Sequence, residues 1–347
     1  MASKERVGLL LVNLGTPLSP DPRDVRRYLR EFLSDPRVID IGALPRWLLL
    51  NLFILPFRPR RSGEAYEKIW TERGSPLLFH TKDLAEKVQQ RFGDGVVVDY
   101  AMRYGEPSVA GSLDRFKVLA VDRIVVFPLY PQYSSAATGS SIEKVFAEAS
   151  RSWNTPFVQV VPPFYDHPAF IDACAGIARP ILNEAPWEKI LFSFHGLPER
   201  HCLKSDDTGA HCLKSADCCD RIVEANRNCY RAQCFATARA LASRLEISED
   251  RRIICFQSRL GRTPWIRPYT DEVVVELAKS GVKRAMILSS AFVADCLETV
   301  EELGIRAADS FKANGGERLR LVPSLNADDA WVDGVVTLSR ETSAWLR

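Results

Sequence analysis

The sequence predicts an α/β protein of two doubly wound domains with parallel sheets. Three observations carry that reading: short runs of β-branched and apolar residues recur along the chain, their apolarity is mostly continuous rather than alternating, and amphipathic stretches at helical spacing lie between them. A strand that is apolar on both faces belongs in a sheet covered on both sides. Strands that alternate with helices make right-handed crossovers between parallel neighbours. A chain of 347 residues also exceeds what one hydrophobic core ordinarily serves.

The first run, residues 7–12, is followed by three more at 96–101, 123–127 and 157–161, with helical patterns at 83–92, 108–120 and 140–151. The order then repeats. Strands are expected at 190–194, 252–256, 285–288 and 319–322, helices at 168–182, 271–279 and 297–313, and a last helix over 328–345. The domains are therefore placed at 1–161 and 162–327, with a C-terminal helix in 328–347. In doubly wound folds ligands sit beyond the carboxyl ends of the strands, so the loops after these runs are where chemistry is expected.

Composition narrows the function. A hydrophobic content of 46% and a net charge of +2, from 46 basic and 44 acidic side chains, are those of a globular protein and exclude the basic excess of a nucleic-acid binder. The apolar run at 7–12 is too short for the core of a secretory leader, so a cytoplasmic location is expected. No apolar run reaches the roughly 18 residues that span a bilayer, although the stretch at 47–57 comes nearest. Nine cysteines in a reducing compartment point to metal or catalysis rather than structural disulfides.

After the first strand stands Asn13-Leu14-Gly15-Thr16-Pro17, and after the third the loop from Pro128 leads to Thr138-Gly139-Ser140-Ser141. Neither has the lysine of a Walker A loop or the glycine pattern of a dinucleotide site, so phosphate and NAD chemistry are disfavoured. After the fifth strand stands His195, in Ser193-Phe194-His195-Gly196-Leu197-Pro198, and after the seventh stand Asp295, Cys296 and Glu298. Alone, the histidine is as well read as a hydrogen-bonded structural group, and acidic residues at a helix start simply suit its dipole. Together, an imidazole and two carboxylates make a site that binds a borderline divalent ion through N and O and accepts protons, without a nucleophile.

Five strings, LLLVNLGTP (9–17), FPLYPQYSSAATGSS (127–141), SFHGLPERH (193–201), CFQSRLGRTPWIRPYTDE (255–272) and AFVADCLETVEELG (291–304), cover nearly the whole chain. In content and order they resemble the ferrochelatase motifs. The resemblance implies two Rossmann-like domains around a porphyrin cleft, and insertion of Fe²⁺ into protoporphyrin IX to form protohaem, the final step of haem biosynthesis. Metalation of this kind needs the inventory just described, because Fe²⁺ enters as two pyrrole protons leave.

By the same resemblance His195 and Glu298 are active-site residues and hold the substrate iron, with Asp295 beside them. Arg103, Tyr104, Tyr130, Tyr133, Ser258 and Trp265 line the macrocycle pocket. Aromatic faces suit a flat tetrapyrrole, and Arg or Ser can hold propionates. Ordinary core packing is the competing account for the aromatics. Cys296 departs from the pattern, for some members have a second histidine there.

Residues 42–61 combine an apolar stretch framed by prolines with the basic group Arg58, Arg60 and Arg61. Its length also suits a buried helix, but the basic flank suits a segment lying on anionic lipid. It resembles the lip of membrane-associated ferrochelatases, which implies peripheral contact with the inner face of a membrane and favours protoporphyrin over coproporphyrin. The same segment can serve a homodimer interface.

Five of the nine cysteines, Cys212, Cys218, Cys219, Cys229 and Cys234, crowd an insert at 202–234. Four thiolates satisfy Zn²⁺ or a [2Fe–2S] cluster alike, and the spacing does not decide. The resemblance does, since some ferrochelatases carry a [2Fe–2S] cluster in such an insert. The expected ligands are Cys212, Cys229 and Cys234 with one of the adjacent pair Cys218 and Cys219. Two other readings stay open: a different tetrapyrrole chelatase, for coproporphyrin, cobalt or nickel, and a non-catalytic haem-binding Fe–S sensor. The pairing of His195 with Glu298 favours an enzyme.

Overall fold

The computed structural model describes residues 6–259, 261 and 263–347. The start of the chain, on which the expectation about a leader partly rests, lies outside the described residues. Among the described residues eight strands form two four-stranded parallel sheets. The first sheet holds β1 (Val7–Gly15), β2 (Val96–Tyr104), β3 (Arg123–Pro128) and β4 (Phe157–Val160) in the order β2-β1-β3-β4. The second holds β5 (Lys189–His195), β6 (Arg252–Gln257), β7 (Arg284–Leu288) and β8 (Arg318–Leu321) in the order β6-β5-β7-β8. Each predicted run is a strand, and the two sheets repeat one topology. In each the winding reverses at one gap, between β1 and β3 and between β5 and β7, where connections leave to opposite sides and open a crevice.

One compact unit comprises Met1–Tyr130, Ser135–Pro162 and Asn326–Arg347, and the other Pro131–Ser134 and Pro163–Leu325. In the first, Leu10, Val12, Ala101, Phe116, Ile124, Val126 and Val145 form a core between the sheet and its helices. The helix Asp329–Thr342 returns to this unit and packs on Pro76–Phe92, with ion pairs Lys87–Asp329 at 3.0 Å and Arg91–Asp333 at 2.8 Å. Its Trp331 is fully buried and meets Phe127 of β3 edge-on. Gly15 ends β1 with φ +123° at a place where a Cβ would sit 1.9 Å from the Tyr104 carbonyl oxygen, so only glycine lets the ends of β1 and β2 approach.

The segment after Gly42 is two-faced. It runs through the helix Ala43–Leu48 and a π-helical turn, Leu49–Ile54, which bury Leu50 and, just beyond, Leu55, while Leu44, Trp47, Leu52, Phe53 and Phe57 stay exposed. Among the described residues no helix is long and apolar enough to cross a membrane.

In the second unit Leu191, Cys255, Val274, Ala285, Ile287, Leu303, Phe311 and Leu319 form the corresponding core. The predicted helix at 297–313 is present but not uniform. Its first part, Leu297–Ala307, is π-helical and continues into the α-helix Ala308–Ala313.

Candidate active site

His195 is the last residue of β5 and stands at the reversal point of the second sheet. The next residue, Gly196, donates its N–H to the Gln257 carbonyl at 2.6 Å, and a Cβ there would meet that same oxygen at 2.8 Å and the Trp265 ring at 3.3 Å. A side chain at 196 would therefore push the loop off β6. The His195 ring Nδ1 lies 2.6 Å from the Gly196 carbonyl oxygen. A carbonyl can only accept, so Nδ1 carries a hydrogen, and in the neutral ring Nε2 is the nitrogen with the lone pair. The rings of Trp265 and Phe292 flank the imidazole at 6.5 and 6.2 Å between centroids. Trp265 is held there by a bridge to Pro198.

The loop after β7 brings the carboxylates. Thr299 closes the start of the π-helix, its hydroxyl accepting from the Cys296 N–H at 3.0 Å. Asp295 Oδ1 accepts from the Thr299 hydroxyl at 3.2 Å and from the Ser324 N–H at 3.1 Å, so this carboxylate ties the loop to the chain beyond β8. Glu298 is fixed by its backbone, since Gln257 Nε2 donates to its carbonyl at 2.8 Å. Burial, and then the Glu298 charge, push the Cys296 thiol well up. The side chain of Gln257, at the end of β6, thus joins the helix of Glu298 to the strand beside His195.

Glu302 is a site residue that the sequence reading missed. Hydrogen bonding from i to i+5 widens the helical turn, and Glu298, Glu302 and Arg306 follow one another at intervals of four along it. Burial, then the Glu298 charge, raise the Glu302 carboxyl above the ordinary glutamate value, against the Ser258 hydroxyl that donates to it and the charges of Arg306 and His195. An imidazole and two carboxyls therefore share one neighbourhood. Ser258, expected at a propionate, spends its hydroxyl on Glu302 and adopts φ +64°, a left-handed conformation of the kind that collects at functional sites. Tyr133 lies in the same unit and is anchored by its N–H to Gln233 Oε1 at 2.6 Å.

The other residues expected at the macrocycle, Arg103, Tyr104 and Tyr130, belong to the first unit. Asp35 Oδ2 accepts from Arg103 at 2.7 Å, from the fully buried Tyr104 hydroxyl at 2.9 Å and from Ser140 Oγ at 2.5 Å. Tyr130 shares a hydrogen bond with Ser141 at 3.2 Å, and burial pushes its phenol up. Burial opposes ionisation of Asp35, yet Ser140, the Arg37 N–H, Tyr104 and the Arg103 charge together hold its carboxyl below the usual range. The stability this pairing gives is complete above the unfolded carboxylate value, near pH 4, and is lost as pH falls through the folded one. Asp35→Asn should cost about 3 kcal/mol at pH 7, the scale of breaking a buried pair. Urea unfolding should show the gap to wild type narrowing as the pH falls below about 4. A gap that is constant with pH would refute the ionic account.

The cysteine insert has almost no regular structure of its own and is held by side chain to backbone bonds. Asp206 Oδ2 accepts from the N–H groups of His211 and Cys212, both at 2.8 Å, and Asn226 Nδ2 donates to the carbonyls of Cys218 at 2.9 Å and Arg221 at 2.8 Å. Inside this frame Cys202, Cys212, Cys218, Cys219, Cys229 and Cys234 are all buried. The neighbouring Cys202 thiol, and less so Cys212 and backbone N–H groups, outweigh burial and hold the Cys229 thiol below its ordinary value, and Cys218 and Cys219 have sulfurs 3.7 Å apart. Arg231 reaches Cys219 Sγ at 3.1 Å. Cys202 was not among the expected ligands: it lies ahead of the cluster in sequence and reaches it only through the fold.

Among the described residues no three His, Cys, Asp or Glu side chains are arranged as around a bound ion. Buried thiols gathered in a loop poor in apolar residues are donors of the kind that zinc and iron–sulfur centres use.

The chain was compared with known proteins. The ferrochelatase family model matches residues 6–343. The ferrochelatase of Coxiella burnetii (strain Dugway) is 44% identical over 340 residues, 98% of this chain and 95% of the relative. That of Legionella pneumophila (strain Philadelphia 1) is 44% identical over 336 residues, 97% of this chain and 99% of the relative. Of solved structures, SirB from Bacillus subtilis with Fe³⁺ matches with a TM-score of 0.54 at 14% identity, over 98% of this chain and 96% of that one. The sirohydrochlorin chelatase SirB from Bacillus subtilis subspecies spizizenii in complex with cobalt matches with a TM-score of 0.54 at 11% identity, over 97% and 95%. Those two likenesses are of fold. The family match and the full-length identity go further: this chain belongs to the ferrochelatase family.

Proposed function

We propose that this ferrochelatase metalates protoporphyrin IX at the carboxyl ends of β5 and β7, with His195 accepting a pyrrole proton and Glu298 receiving the arriving Fe²⁺ and passing protons on. The observation that carries the reading is the His195 tautomer: the Gly196 carbonyl accepts a hydrogen bond from Nδ1–H, so in the neutral ring Nε2 presents its lone pair beside two carboxyls. Two protons must leave as the metal enters. Glu302, whose carboxyl is raised by burial and by Glu298, is suited to take a proton onward. Iron keeps its oxidation state throughout, so no electron donor is needed. Comparing initial rates on protoporphyrin and coproporphyrin tests the substrate. Protoporphyrin should be the faster, and a preference for coproporphyrin would contradict the choice.

Support for a membrane-delivered substrate is the exposed face of Trp47, Leu52, Phe53 and Phe57, next to Arg58, Arg60 and Arg61. Each such side chain that enters lipid contributes roughly 1.5–3 kcal/mol. Replacing Trp47, Leu52 and Phe53 with Ser should abolish sedimentation with anionic vesicles and leave turnover of detergent-dispersed protoporphyrin within about twofold of wild type, since the buried anchors Leu50 and Leu55 remain. Unaltered vesicle binding would sink the idea.

For the thiols, a [2Fe–2S] cluster is the reading, held by four among Cys212, Cys218, Cys219, Cys229 and Cys234, with Cys202 as a further candidate. When bound, such a cluster knits the insert together, a structural service. The purified protein should be brown and contain about two irons per chain. A colourless, active protein with one zinc would favour Zn²⁺ instead.

A further inference from the structure

An open sheet ends on two edges, and a bare edge strand offers unpaired N–H and C=O groups to another chain. In the first sheet β2 closes its edge from within. Gln89 Nε2 donates to the Val96 carbonyl at 2.9 Å and Gln89 Oε1 accepts from the Val98 N–H at 2.8 Å. Ser112 Oγ donates to the Tyr100 carbonyl at 3.2 Å, and the Met102 N–H goes to the Pro107 carbonyl at 2.7 Å. In the second sheet β6 ends against Pro268, whose carbonyl accepts from the Phe256 N–H at 2.8 Å, and β8 carries the charges of Arg318 and Arg320. β4, the other edge of the first sheet, has no such device. The N–H groups of Phe157 and Val161 point to β3, donating to the carbonyls of Asp122 and Val126 at 2.7 and 2.9 Å, so those of Val158 and Val160 point outward. Among the described residues these outward backbone groups have no hydrogen-bond partner. The strand reads Phe-Val-Gln-Val and carries no charge. Phe157 is 65% exposed, and Trp153, in the loop that leads into β4, is 99% exposed.

We propose that β4 pairs with β4 of a second copy of this chain, antiparallel across a two-fold axis at Gln159, and so joins two four-stranded sheets into one of eight. The register follows from the free groups. With Gln159 opposite its own copy, Val158 faces Val160 of the other chain, and the two outward residues of each strand exchange four N–H···O=C bonds with none left over. The side chain at the centre is also unpartnered: among the described residues the Gln159 carboxamide makes no hydrogen bond, and its Oε1 is buried without one. Turned toward its two-fold mate, about 4.5 Å away between Cα atoms in such a pair, each amide donates to the other. A strand of different sequence matches the backbone but leaves Gln159 without that reciprocal partner, which is why the occupant is a copy. Phe146 adds to the apolar surface, 48% exposed on the helix Ser140–Ala149, whose Val145 shares a core with Val158 and Val160. With Trp153 and Phe157 it offers on the order of 450 Å² per copy, roughly the apolar share of the ~800 Å² that a stable interface takes from each partner. A dimer formed here does not use residues 42–61.

The test is sedimentation equilibrium of the purified full chain, together with amide hydrogen exchange over residues 157–161. Wild type should sediment at twice the mass of one chain, and the exchange of Val158 and Val160 should slow as concentration rises, because their protection needs the second strand. Gln159→Lys sets like charges directly opposite each other and should weaken association roughly tenfold. Gln159→Glu should do the same, and an equimolar mixture of the two variants should restore the dimer, a rescue that a general loss of folding does not give. Should a variant not fold, the exchange of wild type decides alone: protection that follows dimer concentration supports the proposal, and fast exchange within a dimer overturns it. A wild type that is monomeric at every concentration overturns it too. So does a dimer that survives both Gln159 variants, or one lost instead when Trp47, Leu52 and Phe53 are replaced with Ser, since either puts the interface elsewhere. Exchange over 157–161 that slows only when cell extract is added to a monomer would give the edge to another protein, and that also overturns the pairing with a copy.

Discussion

His195→Ala is expected to lower kcat at least about a hundredfold, the usual loss when a general base is removed, while protoporphyrin still binds. Planar porphyrins surrender pyrrole protons reluctantly, so an acceptor must wait at the face of the ring. With Nδ1–H donating to the Gly196 carbonyl, Nε2 of the neutral ring is the nitrogen left to act as that acceptor. Little of the fold should change, because the neighbouring anchor is the Gly196 N–H on Gln257, which alanine at 195 leaves in place. Binding can be followed by the quenching of tryptophan emission, with Trp265 beside the imidazole. A variant that binds porphyrin and turns over normally would make His195 structural.

Glu298→Gln should cost a similar factor, for a different reason. The amide keeps the shape and the carbonyl that holds Gln257, but it neither takes up a proton at neutral pH nor offers an anionic oxygen to Fe²⁺. It also removes the charge that raises Glu302 and the Cys296 thiol. The loss should therefore appear in kcat together with a higher metal concentration for half-maximal rate, while KM for porphyrin holds. Near-normal turnover with unchanged metal dependence would remove Glu298 from the reaction.

The strands were legible because a doubly covered parallel sheet writes itself as largely apolar runs, and the eight strands among the described residues are where those runs lie. The helix Pro22–Ser34 was not. Its buried face is only Val25, Tyr28, Leu29 and Leu33, set among arginines and acidic residues. Local pattern also could not show that the last helix docks on Pro76–Phe92, since docking is decided by tertiary contacts such as Trp331 on Phe127.

At the site, His195 and Glu298 follow strand ends as the topology requires, whereas Glu302 lies a turn further along its helix, away from the strand ends to which the topology directs attention. Its one visible signal was the interval of four from Glu298 to Glu302 and on to Arg306. Asp295 reads like an active-site acid in sequence, yet its Oδ1 is engaged by Thr299 and Ser324. Cys202 lies apart from the crowded thiols along the chain and beside them in space.

The most direct measurement of the central claim is metalation itself, followed by emission when the protein is mixed with dilute protoporphyrin and excess Zn²⁺, an ion that enters without redox chemistry. The account predicts many Zn-protoporphyrin molecules formed per chain and a rate that collapses in His195→Ala. Porphyrin that binds but gains no metal, or no more than one metalated ring per chain, would contradict it.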